Sequence, residues 1–532
     1  MLGIFTKGKA LAYVKNLWAK EEKRKRDFKK ISKYNKLLTQ SEENLVDNQT
    51  WNDLDMDQVF SKIDRALTTP GENVLYDMLR KPLYNKEKLR ERGEIIKLFQ
   101  KDSELREKIQ IQLLKVYKQK NGDVLALLWD DLKENKLLKV LFLILGNMPL
   151  VFLVLSIFYG LKMTIIPIIV ILYPINLFIH YKINSTIRSQ VEAISYFSSI
   201  LRAAKYISNL KVDEISNQIN KLNDILNKVK EVSKNSASIG RIEGIDVLGD
   251  YFTILFLIEE RAYYKLTTVI NKNRDELKEL YKIIGEIDAY ISIASYRESA
   301  KYYTEPEFVE EKAYLNIKEG IHPLIKNPVA NSLTLNKNGI ILTGTNMSGK
   351  STFLRMIGLN MLLSQTIYTS LAKEYKGSFL NIITSISPED SVEKGKSYYL
   401  GEAEAMLRII KAVDSDITVF CMIDEIFRGT NPIERVSAAS EILKYLIKGN
   451  CLPVVATHDH ELTKIVKDRY RCYYFSEMVD EDEGLKFDYE IKQGVSPTTN
   501  AIKLLRYLGY PKEITEKAYE QVKRDINYIE DN

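Results

Sequence analysis

Gly339-Ile340-Ile341-Leu342-Thr343 runs directly into Gly344-Thr345-Asn346-Met347-Ser348-Gly349-Lys350-Ser351-Thr352, and then into the apolar, periodic stretch from Phe353 to Leu363. The first five residues have the pattern of a buried strand. The next nine read G-x-x-x-x-G-K-[ST] between a strand and a helix, the setting in which backbone N–H groups close around phosphates at a helix N-terminus. Lys350 is placed to reach the β- and γ-phosphates, and Ser351 offers a hydroxyl to Mg2+. Residues 344 to 352 are therefore the candidate nucleotide-binding loop, with ATP and Mg2+ as the implied ligands.

Two more buried-strand patterns follow. Ile417 to Ile423 ends in Asp424-Glu425, and Leu452 to Ala456 ends in Thr457-His458. An acid at the end of such a strand can complete a Mg2+ shell, so Asp424 joins Ser351 as a candidate metal ligand. Glu425 beside it can orient or deprotonate an attacking water, and His458 at the same carboxyl edge can reach a γ-phosphate. Lys350, Glu425 and His458 are thus the candidate catalytic residues. From about Asn316 onward, short β-branched runs alternate with helical patterns, which predicts an α/β domain with a mainly parallel sheet.

Upstream the texture is helical. Residues 41 to 136 carry helical periodicity broken at Thr68-Thr69-Pro70-Gly71 and at Lys81-Pro82, and residues 183 to 239 contain no Gly or Pro. Between them lie two uncharged runs, 22 residues from Val140 to Leu161 and 19 from Met163 to Tyr181. Each matches the ~20 residues a helix needs to cross a bilayer, so a two-helix transmembrane hairpin is expected, Pro167 and Pro174 kinking its second span. Lysines and arginines flank its outer ends, which puts both long flanks in the cytoplasm and the protein in the cell membrane. The apolar run Tyr251 to Ile258 is too short to span and is expected to be a buried helix.

Composition is that of a folded chain, 45% hydrophobic and 28% charged. Its net charge of +6 is concentrated at the start, where residues 1 to 40 hold twelve Lys/Arg against three acids. Such an arm suits DNA phosphates and anionic lipid heads alike. Three cysteines without C-x-x-C spacing and four histidines support neither a disulfide framework nor a zinc site.

GTNMSGKSTFLR, DEIFRGTN at 424 to 431 and ATHDHELT at 456 to 463 resemble the P-loop, D-E-I-G-R-G-T-S and A-T-H-x-x-E-L-T segments of the MutS family of DNA-mismatch ATPases. GIHPLI at 320 to 325 is similar to the family's G-R-H-P-V stretch. KGKSYYLGEAE at 394 to 404 is similar to its signature loop at Gly395, Ser397 and Glu402. Residues 63 to 96 resemble the start of its helical core, through Thr69, Gly71, Leu75, Leu79, Pro82, Leu83 and Arg92. The resemblance implies head-to-tail dimerisation, with Ser397 of one subunit acting in trans on the nucleotide of the other, and it implies DNA as a partner. The sequence also departs from the family. Residues 1 to 44 are short for the mismatch-reading domain, the apolar hairpin stands where the DNA clamp would be, and Phe427 replaces a Gly, which together count against mismatch specificity.

The expected architecture is multidomain: a basic helical arm (1–44), an all-α core and lever (45–136 and 183–315) interrupted by the transmembrane hairpin (137–182), a P-loop ATPase domain (316–495) and a helical dimerisation tail (496–532). The expected function is ATP-driven switching of a membrane-anchored homodimer that binds DNA. The alternative is a membrane-bound mechanochemical ATPase that does not act on DNA.

Overall fold

A computed structural model describes residues 7–39, 45–132, 135–160, 166–230, 247–345, 348–386, 398–427, 431–480, 484–495 and 501–530. It divides into two compact units. One comprises Met1–Glu42, Ile63–Met78 and Glu94–Ser299; the other comprises Glu43–Lys62, Leu79–Gly93 and Ala300–Asn532. Residues 43–62 and 79–93 group with the second unit. The reason is long-range hydrogen bonding, such as Leu83 N to Gln365 O at 2.8 Å and Thr384 Oγ1 to Asp53 Oδ2 at 2.7 Å.

The first unit is helical. Its central helix, Arg274–Ser299, is buried along most of its length. Asp288 at its middle accepts hydrogen bonds from Leu67 N (3.1 Å), Thr68 N (2.8 Å) and Thr68 Oγ1 (2.6 Å). A Cβ at Gly71 would lie 2.2 Å from Asp288 Oδ2, so only glycine lets this turn close on the carboxyl group. Burial raises the Asp288 carboxyl to about 6, against the opposing pull of its hydrogen bonds to Thr68 and Leu67 and of the Lys118 charge. The folded state therefore holds this proton more tightly than the unfolded chain does. The stabilisation is complete below the ordinary value of 3.8 and is lost as pH rises through 6, a span worth about 3 kcal/mol. Unfolding of wild type and Asp288→Asn compared from pH 4 to 7 should show that extra loss in wild type only; parallel profiles would contradict the assignment.

The basic arm forms two helices, Lys7–Leu17 and Phe28–Leu38. Its arginines turn inward. Arg24 Nη2 lies 2.5 Å from Asp64 and 2.7 Å from Glu72, and Arg26 Nε lies 2.9 Å from Asp64, whose side chain is fully buried. Lys33 pairs with Asp123. The lysines at 9, 23, 25, 29, 30 and 36 remain exposed.

Among the described residues one helix, Lys136–Tyr159, is long and apolar enough to cross a membrane. Among the described residues of the 163–181 stretch there is only a shorter apolar helical segment, Val170–Ile183. A π-helical turn, Ile168–Leu172, sits between Pro167 and Pro174, and the apolar residues of Val170–Ile183 pass into the 35-residue helix Tyr173–Ile207. Pro174 has no N–H for the carbonyl four residues back, which forces the widened turn and breaks the uncharged run into unequal parts. The expected two-helix hairpin is corrected accordingly. Against these apolar segments lie Val247–Phe256 and Ile258–Lys272. Glu260, fully buried, has its Oε1 2.8 Å from His180 Nδ1. The helix expected to be buried at 251–258 instead exposes Tyr251 and Phe252 by more than half.

The second unit holds ten strands among its described residues. Four form one sheet in the order β1 (Glu307–Phe308), β5 (Glu374–Gly377), β2 (Tyr314–Gly320) and β3 (Asn331–Asn336). Six form the other: β10 (Gly484–Gln493), β9 (Tyr470–Asp480), β4 (Gly339–Thr343), β8 (Cys451–Ala456), β7 (Val419–Asp424) and β6 (Asn381–Ser385). All neighbours in the six-stranded sheet are parallel except β9 and β10. Every residue of β4, β7 and β8 is buried, as uninterrupted apolar strands of a parallel sheet should be.

Candidate nucleotide-binding site

The strand order places the three motif-bearing strands side by side, β4 then β8 then β7. Leu342 and Asp424 both register with Ala456, so the three strands end level. Whatever follows them must gather at one carboxyl edge, the usual ligand edge of an open α/β sheet.

After β4 the chain turns through Gly344 and Gly349, with φ of 145° and 108°, values only glycine adopts without strain. A Cβ on Gly344 would also lie 2.8 Å from Ser348 Oγ. The loop ends in the helix Lys350–Ile367. The Lys350 ammonium, almost fully buried, donates to the carbonyls of Gly344 and Thr345 at 2.8 Å each. Its Nζ lies 3.4 Å from His458 Nε2, and that same imidazole nitrogen lies 3.0 Å from Glu425 Oε1. Lys350, His458 and Glu425, 108 residues apart at the extremes, thus form one continuous polar cluster. Thr345 donates its hydroxyl to the buried carboxylate of Glu477 on β9. Asn346, Met347 and Ser397 lie outside the described residues, and Thr352 follows on the first turn of the helix.

Ser351 donates to Asp424 Oδ2. One hydroxyl and one carboxylate make a hard-oxygen pair of the kind that holds Mg2+ while phosphate oxygens and waters fill its other positions. Among the described residues no group of three or more His, Cys, Asp or Glu could hold a metal. Glu425 sits immediately past the strand at φ 64°, and its N–H is held by Ala456 O at 2.9 Å. Phe427 follows at φ 60°, a conformation that costs a non-glycine residue about 1–2 kcal/mol. Its ring, mostly buried, lies 5.5 Å from that of Tyr399. That aromatic contact offsets the strain at a position where the resembling motif carries glycine.

Beside the loop opens a cavity of about 360 Å3, reached from Gly349 and Thr352 and walled by Phe353, Phe475, Tyr489 and His322. Burial, together with the Arg355 and Lys62 charges, lowers the His322 imidazole to about 4, so it is neutral near pH 7. Its Nδ1 accepts from Leu324 N at 3.2 Å. An apolar, aromatic slot with a neutral imidazole next to a phosphate loop has the chemistry for a nucleobase. Sequence reading noted His322 only as part of GIHPLI and missed Glu477, Phe475 and Tyr489, because they come from strands far along the chain; Glu477 meets Thr345 from 132 residues away. Arg435 also went unassigned; it grips Asp459, next to His458, through two hydrogen bonds of 3.0 and 2.6 Å.

Residues 38–294 match the family described as MutS domain III, and residues 340–525 match MutS domain V. Among curated proteins, the chain is 30% identical over 278 residues to the DNA mismatch repair protein MutS of Thermotoga maritima, covering 51% of this chain and 34% of that protein. It is 30% identical over 265 residues to that of Thermus thermophilus (49% and 32%), and 33% identical over 272 residues to that of Persephonella marina (49% and 31%). The matched stretch spans about a third of the length of these relatives.

Proposed function

Since this chain belongs to the MutS family, we propose that it binds and hydrolyses ATP with Mg2+, as a membrane-anchored homodimer that switches conformation with its nucleotide. The observation that carries this reading is the cluster at the carboxyl edge of β4, β8 and β7. Lys350 reaches both Glu425's partner His458 and the loop carbonyls, while Ser351 meets Asp424. In this reading the loop N–H groups and Lys350 bind the phosphates, and Ser351 and Asp424 hold the Mg2+ that neutralises them. Glu425 accepts the proton of the attacking water, and His458 orients Glu425 from one side. Ser397 of the second subunit completes the site in trans, as the family resemblance implies.

Lys350→Ala should weaken nucleotide binding by more than about 100-fold, near 3 kcal/mol, because it removes a buried charge-assisted donor to phosphate. Equilibrium titration with a fluorescent ATP analogue measures this, and unchanged affinity would overturn the site.

Support for a bilayer comes from the helix Lys136–Tyr159, in which Leu137, Leu153, Ile157 and Phe158 are 64–84% exposed. A soluble core helix of such composition would bury those side chains. Lys136 and Lys139 at its start favour a cell-membrane location with the region before the helix cytoplasmic.

DNA is the partner proposed from the family, without mismatch specificity. The second reading, a membrane-bound mechanochemical switch indifferent to DNA, draws on one observation: the arm's arginines pair with Asp64 and Glu72. This removes the two strongest phosphate ligands of the basic run from its surface.

A further inference from the structure

Strand β6 is one edge of the six-stranded sheet, and an edge presents unpaired N–H groups unless something covers it. Here the cover is the short helix Asn48–Asp53. Thr384 N donates to Thr50 Oγ1 at 3.2 Å, and Ile386 N donates to Asp53 Oδ2 at 2.9 Å. Thr50 and Asp53 are three apart, on one helix face, and Thr384 and Ile386 are two apart, on one side of the strand, so the two spacings match. Thr384 Oγ1 adds a third bond to Asp53 Oδ2 at 2.7 Å. Asp53 is 1% exposed, and Gln49 Nε2 holds its other oxygen at 2.9 Å.

The same helix reaches two further parts of the unit. Arg408, on the helix Tyr398–Ala412, bonds Asp47, the Thr384 carbonyl and Thr50 Oγ1. Strand β6 and the helix Tyr398–Ala412 are therefore both fastened to the Asn48–Asp53 helix and its cap Asp47. On the other side, Arg355 Nε donates to Asp53 O at 2.6 Å, and its guanidinium lies 3.5 Å from Asp55. Arg355 stands five residues after Lys350, on the helix that begins at the phosphate loop. Ser385 registers with Ile423, immediately before Asp424.

We propose that the Asn48–Asp53 helix couples the Lys350 helix to strand β6, the neighbour of the Asp424-bearing strand β7, with Asp53 as the positioning residue. It ties the Lys350 helix through its carbonyl and strand β6 through its carboxylate, so a shift of that helix on nucleotide binding moves the strand that pairs with β7 just before Asp424. This inference rests on the ATPase reading above.

The test is a kcat-against-affinity split in the full-length detergent-solubilised protein. Asp53→Ala should lower kcat at least ~10-fold, since small misplacements remote from the chemistry have effects of that order or more. Its affinity for a fluorescent ADP analogue should stay within ~2-fold of wild type. Asp53→Asn, which keeps an acceptor oxygen for β6, should recover part of the rate. Thr384→Val removes only the hydroxyl bond and keeps the side-chain shape; it should lower kcat by ~3-fold or more with affinity again unchanged, and it decides the question if Asp53→Ala does not fold. A folded Thr384→Val or Asp53→Ala with wild-type kcat overturns the coupling, as does a parallel loss of rate and affinity. Wild-type protein without any turnover instead overturns the ATPase reading on which the coupling rests.

Discussion

Glu425→Gln should bind ATP as tightly as wild type and hydrolyse it about 100- to 10,000-fold more slowly, the range a positioned general base contributes. The amide preserves the size of the side chain and an oxygen for its neighbours, but it cannot accept a proton at neutral pH. Phosphate affinity should survive because it resides in the loop, whose Lys350 is held by the Gly344 and Thr345 carbonyls. His458 is a neighbour through which the substitution could reach Lys350, at 3.0 Å from Glu425 and 3.4 Å from Lys350. A modest change in affinity would measure that link. Single-turnover hydrolysis with radiolabelled ATP and filter binding separate the two quantities. Preserved turnover would assign the base elsewhere.

The second large effect concerns folding. Arg26→Ala should destabilise the helical unit by about 3–5 kcal/mol, the usual cost of removing one partner from a buried ion pair. Asp64 is fully buried, and Arg26 both pairs with its carboxylate at 2.9 Å and donates to its backbone carbonyl at 3.0 Å. Burial alone would raise the Asp64 carboxyl, yet Lys118, Arg24 and Arg26 outweigh it and bring the group down to about 2. The stabilisation this confers is present above the ordinary value of 3.8 and is lost as pH falls toward 2. In Arg26→Ala that loss should begin at higher pH. Urea unfolding monitored by circular dichroism at several pH values tests both points, and a change below about 1 kcal/mol would mean that Arg26 is a surface charge after all.

What the sequence makes legible here is local. The nucleotide loop occupies nine consecutive residues between a strand and a helix, so its existence needed no tertiary information. Strands β4, β7 and β8 were readable because a strand buried on both faces is continuously apolar. That their ends meet follows from their being neighbours in a parallel sheet, and this brought Lys350, Glu425 and His458 within reach of one another. Asp53 was not readable. It lies 331 residues from the threonine it holds, and on its own it is one acid in a short polar helix. The basic arm misleads for the same reason, since counting lysines and arginines says nothing about an Asp64 buried beneath them. The apolar stretch at 163–181 failed differently. An uncharged run measures hydrophobic length, but Pro167 and Pro174 decide how much of that length is one regular helix. At 251–258 the short length was read as burial, whereas Tyr251 and Phe252 are exposed beside the other apolar segments.

Steady-state ATP hydrolysis by the detergent-solubilised chain tests the central claim most directly. It is best run with Mg2+, with Glu425→Gln as the blank, and with homoduplex, mismatched and branched DNA or anionic lipid vesicles added in turn. The expected result is Mg2+-dependent turnover well above the blank, with stimulation by DNA favouring the first reading and response to lipid alone favouring the second. Hydrolysis no faster than the Glu425→Gln blank under every condition would contradict the account.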